Sequence, residues 1–320
     1  MLDSFMICLN AVFPLVLLVV LGVVLSKTRF LSEEFFNQAD KLVFKVVLPV
    51  YIFTEVSAKY DSEGVFDLKF VIFCFAGIIG SFLIFSCVTP LFIKNKASCG
   101  AFIQSVYRGN YAILGLPLAE SFFPANGLAV GALIMPVAIP LFNVLAVIIL
   151  TVNSGEGETR AKVDVKKMIF DIVTNPLIIA VFAGFLFMHI PMPVLAADFL
   201  GRLAKMSTPL ALISLGACFR FDSLVSKLKY TIPAVAIRMV VMPIIITAIA
   251  IALGMRDVQL LVIFVLFSAP SAVSSYIMAK RMNSDHELAG QIVVLTTVTA
   301  AFTIFAGSFL LNLMGYISFV

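Results

Sequence analysis

Along the 320 residues, apolar stretches of about 20 residues recur at near-regular intervals, separated by short segments where charges, Gly, Pro and Asn gather. About 20 apolar residues is the length at which a helix crosses ~30 Å of hydrocarbon. The pattern predicts ten transmembrane helices, over roughly 6–26, 36–57, 68–93, 98–121, 127–152, 168–189, 194–218, 230–253, 258–279 and 288–313. The polar connection 153–167, NSGEGETRAKVDVKK, divides them five and five. The chain therefore reads as a first five-helix repeat (1–152), a loop (153–167) and a second five-helix repeat (168–320).

Composition agrees with that pattern. Hydrophobic residues make up 62% of the chain, charged residues 12%, and the mean hydropathy is +1.11; soluble domains hold only about 45–50% apolar residues. This excludes a soluble catalytic domain and defines an all-α integral membrane protein. The first apolar run lacks a basic segment before it and is followed by Lys27 and Arg29 rather than a small-residue cleavage site, so it is expected to be a retained span. The five cysteines (Cys8, Cys74, Cys87, Cys99, Cys218) are scattered singly, without metal-ligand spacing, and read as small hydrophobes.

Charge fixes the expected orientation. The odd-numbered connections carry fourteen cations: Lys27, Arg29, Lys41, Lys94, Lys96, Arg160, Lys162, Lys166, Lys167, Arg220, Lys227, Lys229, Lys280 and Arg281. The opposite side carries Lys59, Lys69 and Arg256. The positive-inside bias places the odd connections in the cytoplasm and both termini outside it, in a multi-pass protein of the cell (inner) membrane. Lys45, Lys205, Arg202 and Arg238 fall nearer the ends of their spans and are expected to snorkel or face the surface.

Five helices per half make the second half enter the bilayer from the opposite side, so likeness between the halves is an inverted-topology repeat. A shift of 162 places Pro14 on Pro176 and Gly22 on Gly184; a shift of 160 places Pro49 on Pro209 and Lys45 on Lys205. A shift of 153 places Pro90 on Pro243 and Pro117 on Pro270. The last pair lies in the fourth and ninth spans and interrupts each near its middle, within RGNYAILGLP (108–117) and FSAPSAVSS (267–275). Paired Gly/Pro-broken spans in corresponding positions mark a midplane transport site.

A helix broken in the membrane exposes N–H groups at one end and C=O groups at the other, each costing several kcal/mol unless satisfied. The positive end favours a carboxylate and the negative end a cation. Arg108 lies about ten residues into its span, some 15 Å of helix from the edge. That depth demands either a carboxylate partner or an anionic ligand in a water-filled cavity. Asn110 offers donor and acceptor together, suited to a carboxylate or to capping a helix end. Asn143 and Asn175 are weaker candidates of the same kind.

Enzyme chemistry finds no support. His189 and His286 fall at span ends on opposite sides, and no HExxH, GxSxG, Walker or GxGxxG pattern stands in its required setting. No cofactor is implied, and no basic, aromatic surface suggests nucleic acid. An intramembrane enzyme would have to use Glu120 or Cys99. The other alternative to a transporter is a membrane sensor that binds a small anion without translocating it.

RGNYAILGLPLAE (108–120), APSAVSSYIMAKRMNSD (269–285) and LAGQIVVLTT (288–297), with Pro49 and Asn175-Pro-Leu177, resemble the bacterial branch of the auxin efflux carrier family, which includes malate and malonate permeases. The resemblance covers nearly the whole chain. It implies a five-plus-five inverted repeat with crossed, broken helices 4 and 9, scaffold and transport domains drawn from both repeats, elevator-type alternating access and a homodimer. The implied site involves Asn110, Gly115, Pro117 and Pro270, with Asn143 nearby. Arg108 and Ser268, Ala269 and Ser271 of the second break complete the expected substrate site. The implied partners are a small organic anion, a coupling ion (proton or sodium) and the bilayer. The sequence departs from the family's plant members in its short central loop, and from the related sodium/proton antiporters in lacking their paired midplane aspartates.

Overall fold

The computed structural model describes residues 2–57, 67–111, 115, 118–119, 122–123, 126–153, 170, 174, 176–187, 190, 192–218 and 221–318. Pro117, Glu120, Asn175, His189 and nearly all of the 153–167 connection lie outside the described residues.

The first half contributes α1 (Leu2–Lys27), α2 (Glu33–Leu42), α3 (Leu48–Ser57), α4 (Leu68–Phe92), α5 (Lys96–Tyr107), α6 (Gly127–Ala132) and α7 (Met135–Val152). The second contributes α8 (Pro176–Phe187), α9 (Val194–Lys205), α10 (Ser207–Cys218), α11 (Phe221–Ala236), α12 (Met242–Ala252), α13 (Asp257–Ser268), α14 (Ser274–Arg281) and α15 (His286–Leu313). Polar side chains set several starts. Ser32 accepts from the Phe35 N–H at α2, Asp67 from Lys69 and Phe70 at α4, and Asn95 from Ser98 at α5.

Two π-turns, Val43–Val47 and Ile237–Val241, join α2 to α3 and α11 to α12. Each ends two residues before a proline, Pro49 and Pro243. A proline lacks its N–H and crowds the carbonyl four residues back, and widening the turn above it relieves that clash. The bonds that close the wide turns are Leu48 N–H to Val43 O and Met242 N–H to Ile237 O.

Among the described residues, three helices are long and apolar enough to cross a membrane: Leu68–Phe92, Lys227–Ala252 and His286–Leu313. On α4, Ile72, Leu83, Ile84, Leu91 and Phe92 are exposed, an apolar surface that water would not tolerate and lipid would. In contrast, every residue of α5 from Ser98 to Tyr107 is buried, and so is α13 from Leu260 to Ser268. The two helices preceding the Pro/Gly interruptions thus run through the centre of the molecule, surrounded by others.

Close backbone contacts organise the remainder. α1 packs on α10 and α15, and α3 packs on α8 and α9. A Cβ on Gly22 would stand 2.0 Å from the Ile213 carbonyl oxygen, and one on Gly216 would stand 2.0 Å from that of Val19, so α1 and α10 touch main chain to main chain. Gly184 of α8 likewise lies against Val56 of α3.

Polar ties link the bundles at one end. Asp40 of α2 is fully buried, pairs with Lys280 Nζ at 2.5 Å and accepts from the Ser214 hydroxyl. The neighbouring Arg281 donates to the Asn37 carbonyl. Asp285 caps α15 and binds Lys227 (2.5 Å) and the Ser98 hydroxyl (2.7 Å), tying α11 and α5 to that cap. Burial pushes its carboxyl up, but the hydrogen bonds from Lys227, Ser98 and the Leu288 N–H outweigh burial and hold it below its ordinary value of 3.8. Its contribution to stability is therefore present above that ordinary value and is lost as pH falls through the lower native one.

Breaking a buried ion pair strands a charge, at about 3–5 kcal/mol. Asp40→Ala is accordingly expected to lower the thermal unfolding midpoint of the detergent-solubilised protein sharply, and Asp40→Leu combined with Lys280→Met to recover most of the loss. A double variant as unstable as the single one would show that the pair is not what α2 and α14 depend on.

Candidate functional site

The last helical bond of α5 runs from Arg108 N–H to Gln104 O (3.2 Å), after which Arg108 is extended (φ −93°, ψ 112°). α13 stops at Ser268; Ala269 is extended (φ −56°, ψ 139°), and Pro270 cannot continue the helix. The two extended segments lie side by side. Asn110 N–H donates to Pro270 O (2.8 Å) and Ala272 N–H to Arg108 O (3.2 Å), forming an isolated antiparallel bridge between Gly109 and Ser271. Each interruption thus satisfies part of the other's exposed main chain. Thr296 of α15 supports the bridge by accepting from the Ser271 N–H (3.0 Å).

The carbonyls at the two helix ends converge on one side chain. Arg238, fully buried, donates through Nε to Ala269 O (2.8 Å), through Nη1 to Val106 O (3.2 Å) and Tyr107 O (3.0 Å), and through Nη2 to Leu266 O (3.2 Å). One guanidinium caps α5 and α13 together. This corrects the expectation that Arg238 snorkels to the surface; Lys45, Arg202 and Lys205 are exposed as expected. The reason is tertiary: the carbonyls at the ends of α5 and α13 pack against the face Arg238 occupies, whereas Lys45, in the matching π-turn before Pro49, meets no such helix ends among the described residues and is exposed. Gly109 fits the same arrangement, because a Cβ there would stand 1.9 Å from Arg238 Nη2.

Arg108 lies on the other face of the bridge. It is 4% exposed and donates through Nη2 to Asn143 Oδ1 (2.8 Å) and Ser274 Oγ (2.7 Å), and through Nη1 to Met278 Sδ (2.7 Å). Asn143 is oriented for this by spending its amide N–H on Ile139 O (2.7 Å). No carboxylate forms a salt bridge with Arg108 among the described residues. A cavity of about 50 Å³ opens against it, lined in part by Tyr51, Arg108, Asn110, Asn143, Ala272 and Ser274. The Asn110 N–H is committed to the bridge, and the residue also lines this cavity. Ser274 begins α14, so the positive end of that helix points the same way.

The structure therefore brings Arg108, Asn110 and Asn143 together around a cavity, and gathers Ser268, Ala269, Pro270 and Ser271 at the adjoining crossing. Gly115 is not among the lining residues; a Cβ on it would strike the Tyr111 ring at 2.2 Å, so it packs that ring. Pro117 lies outside the described residues. The sequence reading missed Tyr51, Ser274, Met278 and Arg238. Ser274 belonged to the serine-rich break; no spacing distinguished Arg238 from Lys45, which stands in the matching turn before Pro49 and is exposed. Buried oxygens of Gln104, Ser105, Ser268, Ser271 and Ser275 find no donor or acceptor among the described residues, so the crossing carries more polar capacity than the packing of those residues uses.

A predominantly apolar, all-helical body that places a cation and amides around an internal cavity is the construction of a multi-pass membrane transport protein. Comparison with known proteins gives the family: the model of the membrane transport protein family matches residues 7–306, and the chain belongs to that family, the auxin efflux carriers. It is similar to an uncharacterized transporter of Methanothermobacter thermautotrophicus, 24% identical over 297 residues, covering 92% of this chain and 95% of that one. It is also similar to an uncharacterized transporter of Methanocaldococcus jannaschii, 25% identical over 303 residues, covering 91% and 95%.

Gly109→Ala should displace the Arg238 guanidinium and lower thermal stability by about 1–3 kcal/mol, the usual cost of overpacking. In an Arg238→Ala background the same change should cost much less, giving a coupling of about 1 kcal/mol or more in a double-mutant cycle. Additive losses would separate the glycine from the guanidinium.

Proposed function

We propose that the protein is a secondary transporter of a small organic anion, a mono- or dicarboxylate, that binds against Arg108 beside the helix crossing. The observation that carries this reading is the contrast between the two buried guanidiniums. Arg238 is held by four main-chain carbonyls at the negative ends of two helices, whereas Arg108 has, among the described residues, only an amide, a hydroxyl and a thioether as hydrogen-bond partners. A buried cation so weakly compensated attracts an anion strongly. Asn110 and the positive end of α14 supply further donors to the same cavity.

The reading extends to architecture. Ten spans in two inverted five-helix repeats are supported by the packing of matched glycines, and the placement of both termini outside the cytoplasm by the positive-inside bias. Gly22 of the first span lies on the seventh through α10, and Gly184 of the sixth lies on the second through α3. These tightly joined helices form the scaffold of an elevator, and the crossing with α4, α7 and α15 forms the moving part. Tyr51 reaches the cavity from the scaffold, so the site sits between the two bodies. At about 50 Å³ the cavity has room for only a few waters at ~10–15 Å³ each, and a carboxylate enters as the bodies separate.

Counterflow in proteoliposomes with a panel of carboxylates tests this directly. Uptake of at least one should fall about tenfold or more in Arg108→Gln and Asn110→Ala while both remain folded, since losing a hydrogen bond to a charged ligand costs about 1.5–3 kcal/mol. Arg108→Lys should retain part of the activity. Label that binds but never reaches the lumen would identify a sensor instead, and full activity in both variants would overturn the site.

A further inference from the structure

The crossing holds a second site whose occupant is part of the chain. Four carbonyl oxygens, from Val106, Tyr107, Leu266 and Ala269, converge from the negative ends of α5 and α13. A cluster of carbonyl oxygens at helix C-termini is the ligand set that coordinates a desolvated monovalent cation. Here a guanidinium fills it. We infer that this carbonyl cage is a monovalent-cation site permanently occupied by the tethered Arg238, so that anion transport proceeds without an alkali cation bound at the crossing.

Three observations support this. All three guanidinium nitrogens of Arg238 are spent on the cage, and no carboxylate forms a salt bridge with it among the described residues. Its role there is thus the neutralisation of helix-end dipoles. Gly109 lies directly against the guanidinium, since even a Cβ there would stand 1.9 Å from Nη2. The neighbouring anion-binding face has its own cation, Arg108, so Arg238 is not needed as a ligand for the cargo. It is a positioning residue that holds the two helix ends, and through the bridge at Gly109 and Ser271 it holds Arg108 and Asn110 in register.

The cage itself is argued from its own hydrogen bonds; the separation of Arg238 from the cargo and the consequence for ion dependence rest on the transport reading. Removing the tether should leave a site that free guanidinium can fill. In detergent, Arg238→Ala should show a saturating rise in its unfolding midpoint with guanidinium at concentrations well below denaturing. Urea, the uncharged counterpart, should give no rise, and neither should guanidinium with the wild type. A folded Arg238→Ala that ignores guanidinium would overturn the inference. If that variant is lost with or without guanidinium, Arg238→Lys and Arg238→Met decide: folding of the lysine variant but not the methionine variant is the expected result, and equal behaviour refutes a role for the charge. In proteoliposomes, wild-type anion uptake should be unchanged when choline replaces sodium or potassium on both sides. An alkali-cation requirement would overturn the consequence, whereas failure of every anion to be taken up would count against the transporter and leave the midpoint measurements to judge the cage.

Discussion

Two helices that end head to head inside an apolar body present their negative ends to each other, and the fold is possible only because a positive group lies between them. Arg238 is that group. Its planar fork reaches four carbonyls that water would otherwise have to hydrate. Much of the surrounding sequence follows from placing it. Gly109 clears the space it occupies, and the extended residues on either side pair because their helices have been stopped at the same point.

A second guanidinium 130 residues earlier does the opposite work. Arg108 is anchored by neutral side chains, which fix its direction without neutralising it. Structural and ligand-directed charge are thereby separated across a single bridge. This division explains how a chain can keep two arginines at its core without partner carboxylates among the described residues. One is stabilised by dipoles of the fold, and the other is held by neutral side chains.

The interruptions themselves were legible in the sequence, because Gly and Pro act through main-chain geometry that does not depend on neighbours. Arg108 was legible too, since its depth in a long apolar run can be counted residue by residue. Arg238 was not. Its distance from the span end suggested the surface, but depth counted along a helix does not say which face a residue takes, and Arg238 takes the face that meets the ends of α5 and α13. Tyr51 and Ser274 were hidden for a different reason: they reach the cavity from separate segments, and only tertiary packing brings them to Arg108. Asp40 belongs with them, as its partner Lys280 stands 240 residues away.

The antiparallel bridge at Gly109 and Ser271 has a mechanical meaning. Stitched by two main-chain hydrogen bonds and clamped by a shared guanidinium, the broken segments cannot shear past one another. Residues contributed by the two halves of the chain are thereby fixed in one frame.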